Sequence, residues 1–142
     1  MIKHLITSFF IALLFLFPAA SAPAAEEETR VPYDENTELT VRGTVMEVSP
    51  ATMRGPVTLQ VQVETKSYRV FLAPRWFVLE QGLTLTPGQK IEVTGSKFFS
   101  RDGAVSLSAT RIRFLDSGKE VFLRDDSCRP LWMQHRHGRF GR

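Results

Sequence analysis

The chain has 142 residues, 43% of them hydrophobic and 23% charged, with eighteen lysines and arginines against fifteen aspartates and glutamates. That length suits one domain with one core. Its single cysteine, Cys128, excludes an internal disulfide, a Cys-x-x-Cys redox centre and Cys-x-x-Cys-His haem attachment.

Lys3 and His4 precede a thirteen-residue apolar run, Leu5 to Phe17, then Pro18 and a string of small residues ending in Ala22-Pro23-Ala24. This is the three-part layout of a secretory signal peptide, with cleavage expected after Ala24. A bilayer-spanning helix needs about twenty apolar residues, so the run is short for an anchor. We expect residues 1–24 to be removed, leaving a periplasmic protein of a Gram-negative bacterium with no further membrane span. From Ala25 to Ser127 there are thirteen basic and fifteen acidic residues, whereas Cys128 to Arg142 holds four arginines, two histidines and no acid. The positive charge of the processed chain therefore gathers in its tail.

Residues 25–38 are polar and acidic and read as a flexible lead-in. Leu39 to Ser49 is the first expected strand, with Leu39, Val41, Gly43 and Val45 on one face. Gly43 marks a bend in it. Pro50 to Pro56 is a loop. Val57 to Val63 alternates cleanly, Glu64-Thr65-Lys66 turns the chain, and Tyr68, Val70 and Leu72 give the third strand an apolar face. Pro74 opens a short helix stopped by Gly82. Trp76, Phe77, Leu79 and Leu83 are its expected anchors. Pro87-Gly88 leads into a fourth strand, Lys90 to Phe99, and Ser100-Arg101-Asp102-Gly103 turns into a fifth, Ala104 to Leu115. The apolar positions change parity near Thr110, which predicts a bulge. Lys119 to Arg124 reads as a sixth, peripheral strand.

The predicted class is all-β: a small five-stranded barrel, one short helix between strands three and four, and an extra C-terminal strand. That order is similar to the OB-fold over roughly residues 39–115. The barrel with its closing strand is assigned to 39–132 and a basic, disordered tail to 133–142. Three segments resemble small exported bacterial OB-fold proteins with no assigned activity: Val70 to Phe77, Val93-Thr94-Gly95-Ser96, and Leu123 to Trp132. In that family a glycine usually stands where this chain has Cys128. The resemblance implies fold and export, not a reaction.

OB barrels bind ligands across strands two and three, flanked by the loops after strands one and four. That surface offers Gln60, Gln62, Arg69 and Phe71, with Met53, Arg54 and Arg101 in the loops. Single-stranded nucleic acid asks for stacked aromatics in a basic groove; one outward aromatic and few cations argue against it. In the tail, Met133, His135 and His137 are donors suited to copper, nickel or zinc, and Met-x-His-x-His aligns them on one side of an extended chain. Cys128 is free, paired between chains or metal-bound on this reading. The tail histidines also invite comparison with the haem chaperone of cytochrome c maturation. There a tail histidine is followed four residues later by tyrosine; here Arg139 follows His135 and Gly141 follows His137, so that function is not carried over. Trp132 is expected to pack back on the barrel. Asp125 and Asp126, as neighbours, suit a turn better than acid/base chemistry. No catalytic triad or phosphate-cradling loop is present. The sequence points to a non-enzymatic exported binding module for a small ligand or an envelope protein. A metal-handling tail protein is the first alternative, and a nucleic-acid or oligosaccharide binder the second.

Overall fold

The alternating run at the centre of the sequence forms a hairpin, β2 (Pro56–Val63) with β3 (Lys66–Pro74), and the other strands wrap from it. The computed structural model describes residues 33–49 and 55–137. Residues 1–32, which hold the expected signal peptide and most of the expected lead-in, residues 50–54, with Met53 and Arg54, and the last five residues lie outside them. β1 (Glu38–Ser49) pairs with β2 and with β4 (Lys90–Phe99); β5 (Val105–Phe114) pairs with β4, and β6 (Glu120–Phe122) with β5. A parallel pairing of β3 with β5 closes the first five strands into a barrel. This closed five-strand plan with an appended sixth is the OB-fold expected from the sequence.

β1 belongs to both halves. Thr44 faces Gln62 of β2 and Lys90 of β4, and Gly43 sits beside the switch. A Cβ at Gly43 would lie 2.3 Å from the Gln62 carbonyl oxygen, so only glycine lets β2 come this close. The expected bulge in β5 is present. Thr94 pairs with Arg111 and Gly95 with Ala109, leaving Thr110 as the extra residue. A bulge in β1 at Met46, between the pairs of Val45 and Glu47, has no counterpart in the sequence pattern.

The core is aliphatic. Val41, Val45, Leu59, Val61, Val70, Ile91, Val93, Leu107, Ala109 and Ile112 line the barrel, and Phe77 plugs one end. Phe77 belongs to α1 (Arg75–Glu80), for which Pro74 is the N-cap. Gly82, at φ +65°, ends it: Gly82 N–H bonds to Leu79 O and Leu83 N–H to Val78 O, the paired bonds of a Schellman motif. One expected anchor is corrected. Leu79 is 55% exposed, and Val78 is buried in its place beside Phe77 and Leu83. Six residues make under two turns, too few for a repeating stripe to decide which side faces in.

Beyond β6 the chain folds back. Arg124 bridges to Pro130, and Asp125 organises the turn between them, with Oδ1 accepting from the Ser127 and Arg129 amides and Oδ2 from Arg129 and Gln134. These bonds hold its carboxyl below the usual range, the Arg129 amide contributing most. The expected turn role of Asp125 is thus realised. Then α2 (Leu131–His137) begins.

Candidate functional site

Strand registers place the outward residues of β2 and β3 in rows that continue across the barrel. One row runs Glu47, Gln60, Arg69, Ser106, Phe98; the next runs Ser49, Thr58, Phe71, Ser108, Ser96; Gln62 stands beside Thr44 and Ser67. The structure therefore brings Gln60, Gln62, Arg69 and Phe71 onto one face, as the sequence suggested, with exposed Arg101 in the turn beyond β4. Arg54 lies outside the described residues.

The sequence missed the other half of this face. Ser106 and Ser108 of β5 are small and buried. Two strand spacings separate β3 from β4 here, about 10 Å in all, yet the rings of Phe71 and Phe98 meet over the serines at 5.7 Å, tilted by 38°. Large rings leaning over small residues make an apolar saddle, a geometry aromatic pairs favour. Arg69 is held at its edge. Its Nη2 is 2.8 Å from Asp102 Oδ2, and its Nη1 donates to Ser100 Oγ at 3.4 Å. Ser100 Oγ in turn donates to Asp102, and this, followed by the Arg69 bond, holds the Asp102 carboxyl far below its ordinary value. The signals for this lock were the Phe98-Phe99 pair and Asp102 within the predicted hairpin; only strand register shows that they return to Arg69.

A second constellation lies where the two ends of the described chain meet. Arg124 is 8% exposed. Its Nη1 donates to Cys128 O at 2.9 Å and its Nη2 to Ser108 Oγ at 3.2 Å, while its Nε has no partner among the described residues. The guanidinium lies 5.0 Å from the Tyr33 ring and 5.6 Å from the Trp132 ring, a double cation–π contact. Burial lowers its pKa. Tyr33 OH donates to Glu38 and accepts from Thr110, the bulged residue. Burial first, then the Glu38 bond, push the Tyr33 phenol up to about 12. Trp132 also packs on Phe77 at 5.9 Å, so the expected return of this indole to the barrel is found.

Cys128 shows why glycine suits its place: its φ is +58°. Burial first, then Glu35, raise its thiol pKa, which makes it a poor nucleophile at neutral pH. In the tail, α2 replaces the extended chain on which the metal reading relied. The side chains of His135 and His137 lie outside the described residues. Among the described residues, no group of three or more His, Cys, Asp or Glu is placed to hold a metal.

A shallow hollow of about 230 Å³ lies at the end near α1, lined by Gly82, Leu83, Thr84, Gln89, Phe114, Ser117 and Lys119. It is below the volume of ordinary small-molecule sites, about 300–1,000 Å³, and away from the saddle.

The sequence profile of the MamS/MamX magnetosome protein family matches residues 37–117, more than half of the chain. The chain belongs to that family. The matched stretch runs from the residue before β1 to the turn after β5, so the MamS/MamX region comprises the closed barrel and the whole saddle. β6, the Arg124 clasp and α2 lie beyond it. No curated protein matches the chain. Among solved structures, the MamS/MamX chain is similar to one in the Stn1–Ten1 complex of S. pombe: 17% identity, 72% of this chain and 71% of that one covered, TM-score 0.44.

Proposed function

We propose that this member of the MamS/MamX family is an exported, non-enzymatic bacterial module that binds a protein partner across the outer face of β2 and β3. The leader-like residues 1–24 support export to the periplasm. The observation that carries the binding reading is the Phe71–Phe98 saddle. It is an apolar contact at the centre of a face whose rim is polar: Gln60, Gln62, Ser67 and the locked Arg69. A central apolar anchor with a polar rim is the anatomy of a protein interface. Arg69 favours a protein over a nucleic acid, because its charge is already met by Asp102, and a polyanion would have to displace that carboxylate.

The test is a photo-crosslinking residue at Gln60, in cells producing the full chain, with a matched position at Arg42 on the far side. A discrete protein adduct from position 60 is expected, absent from position 42 and lost when Phe98 is changed to Ala with the fold intact. An adduct that survives Phe98→Ala, or equal adducts from both positions, would refute the saddle as the binding site.

A further inference from the structure

The opposite side of the barrel carries a different chemistry. Where β1, β4, β5 and β6 lie side by side, one outward row reads Arg42, Glu92, Arg113, Glu120 and the next Thr40, Thr94, Arg111, Phe122. Lys90 stands beyond Glu92, with Leu115 beside it through the Leu115 N–H bond to Lys90 O. Four cations thus share this face with two carboxylates.

The arginines are fixed. Glu92 Oε2 accepts from Arg42 Nε at 2.5 Å and from Arg113 Nη2 at 3.3 Å. Glu92 is buried between them, and these bonds, Arg42 first, lower its pKa. One carboxylate serves two guanidinium groups, so a positive charge is left over. Arg111 pairs with Glu120 at 3.0 Å and donates to Thr94 Oγ1. At the same edge, Phe122 and Leu115 are 55% and 39% exposed. Parity puts Leu115 on the side of Arg111 and Arg113, and Phe122 is paired directly with Arg111.

We propose that this face docks on an anionic lipid bilayer. Pre-positioned guanidinium groups match lipid phosphates, and large apolar side chains in the same plane reach the acyl boundary below them. The face spans four strands, about 14 Å, and is open, unlike the walled, aromatic-lined groove that single-stranded nucleic acid takes. Among the described residues no helix is long and apolar enough to cross a membrane; the contact proposed is that of the barrel face itself. It leaves the Phe71–Phe98 saddle on the other side free, and the two readings stand or fall separately.

The test is co-sedimentation of the full chain with phosphatidylglycerol–phosphatidylcholine vesicles and with phosphatidylcholine alone, from 50 to 500 mM salt. The readout is the excess binding to anionic vesicles, measured also with Lys3→Gln because the basic start of residues 1–24 adds its own attraction to anionic lipid. That excess should fall with salt. Arg111→Gln with Arg113→Gln should reduce it about 25-fold, at about 1 kcal/mol per basic residue near the surface. Phe122→Ser should weaken binding several-fold, while Arg136→Gln, Arg139→Gln and Arg142→Gln together leave most of it. Circular dichroism and urea midpoints establish that each variant is folded. The proposal is overturned if there is no anionic excess, if the excess follows the tail arginines alone, or if the chain binds poly-glutamate but not vesicles.

Discussion

Replacing Gly43 with alanine tests the geometry on which the barrel depends. The added Cβ would sit 2.3 Å from Gln62 O and 2.9 Å from the side chains of Val61 and Val63. The closest of these is a backbone atom on a paired strand, about 1 Å inside ordinary contact. It cannot rotate away. Relief requires β1 and β2 to separate where Thr44 pairs with Gln62. That loses one or two backbone hydrogen bonds, each worth about 1 kcal/mol, in addition to about 1–3 kcal/mol for overpacking. We expect Gly43→Ala to destabilise by about 2–5 kcal/mol, a large part of the 5–15 kcal/mol typical of a domain. Urea unfolding followed by circular dichroism checks this: the midpoint should fall while the slope is retained. Gly103→Ala is the comparison. Gly103 has φ +80°, and a Cβ there would meet nothing within 4 Å, so its cost is that of left-handed backbone alone, about 1 kcal/mol. A Gly43→Ala midpoint no lower than that of Gly103→Ala would refute the close-approach argument.

Cys128→Gly should stabilise by about 0.5–1 kcal/mol, because φ at that position is +58° and glycine adopts it without strain; a lower urea midpoint would count against this. The folded-state pKa of Asp102 lies below its unfolded value, so its contribution is present above the unfolded pKa and is lost as pH falls through the folded one. Asp102→Asn should therefore flatten the acid limb of a stability–pH curve below about pH 4, and an unchanged limb would show that the Arg69–Asp102 lock is idle. Tyr33 is a neutral acid whose pKa is raised to about 12, so its contribution is present below about pH 10 and fades as pH climbs through 12. A phenolate absorbance titration should show one group near 12 that disappears in Tyr33→Phe.

The barrel was legible because β2, β3 and the start of β4 alternate with period two and the connecting turns carry their glycines and prolines. Even the bulge at Thr110 left a trace, since Leu107 and Ala109 point in as odd residues and Ile112 and Phe114 as even ones. The bulge at Met46 left none, because Met46 is exposed and its neighbours are mixed. The candidate face was half legible. Arg69 and Phe71 read as outward from their own strand, but Phe98 and Asp102 meet them only through the parallel β3–β5 closure, and no local pattern encodes such a pairing. Arg124 was opaque for a related reason. An arginine after an edge strand reads as solvated, and its burial depends on Tyr33 and Trp132 arriving from the two ends of the described chain.

That clasp sets an order of events. Arg124 and Trp132 are translated after every strand of the barrel, and their partner Tyr33 is separated from Arg124 by some ninety positions. Closing so long a loop is slow to begin and rewards the chain only at the end. The five barrel strands can pair before the clasp closes, but Ser108 lacks its Arg124 partner until the segment beyond β6 docks. A stalled or clipped product would thus keep the barrel and lose its seal, exposing Ser108 and the Tyr33 segment to whatever else could pair with them.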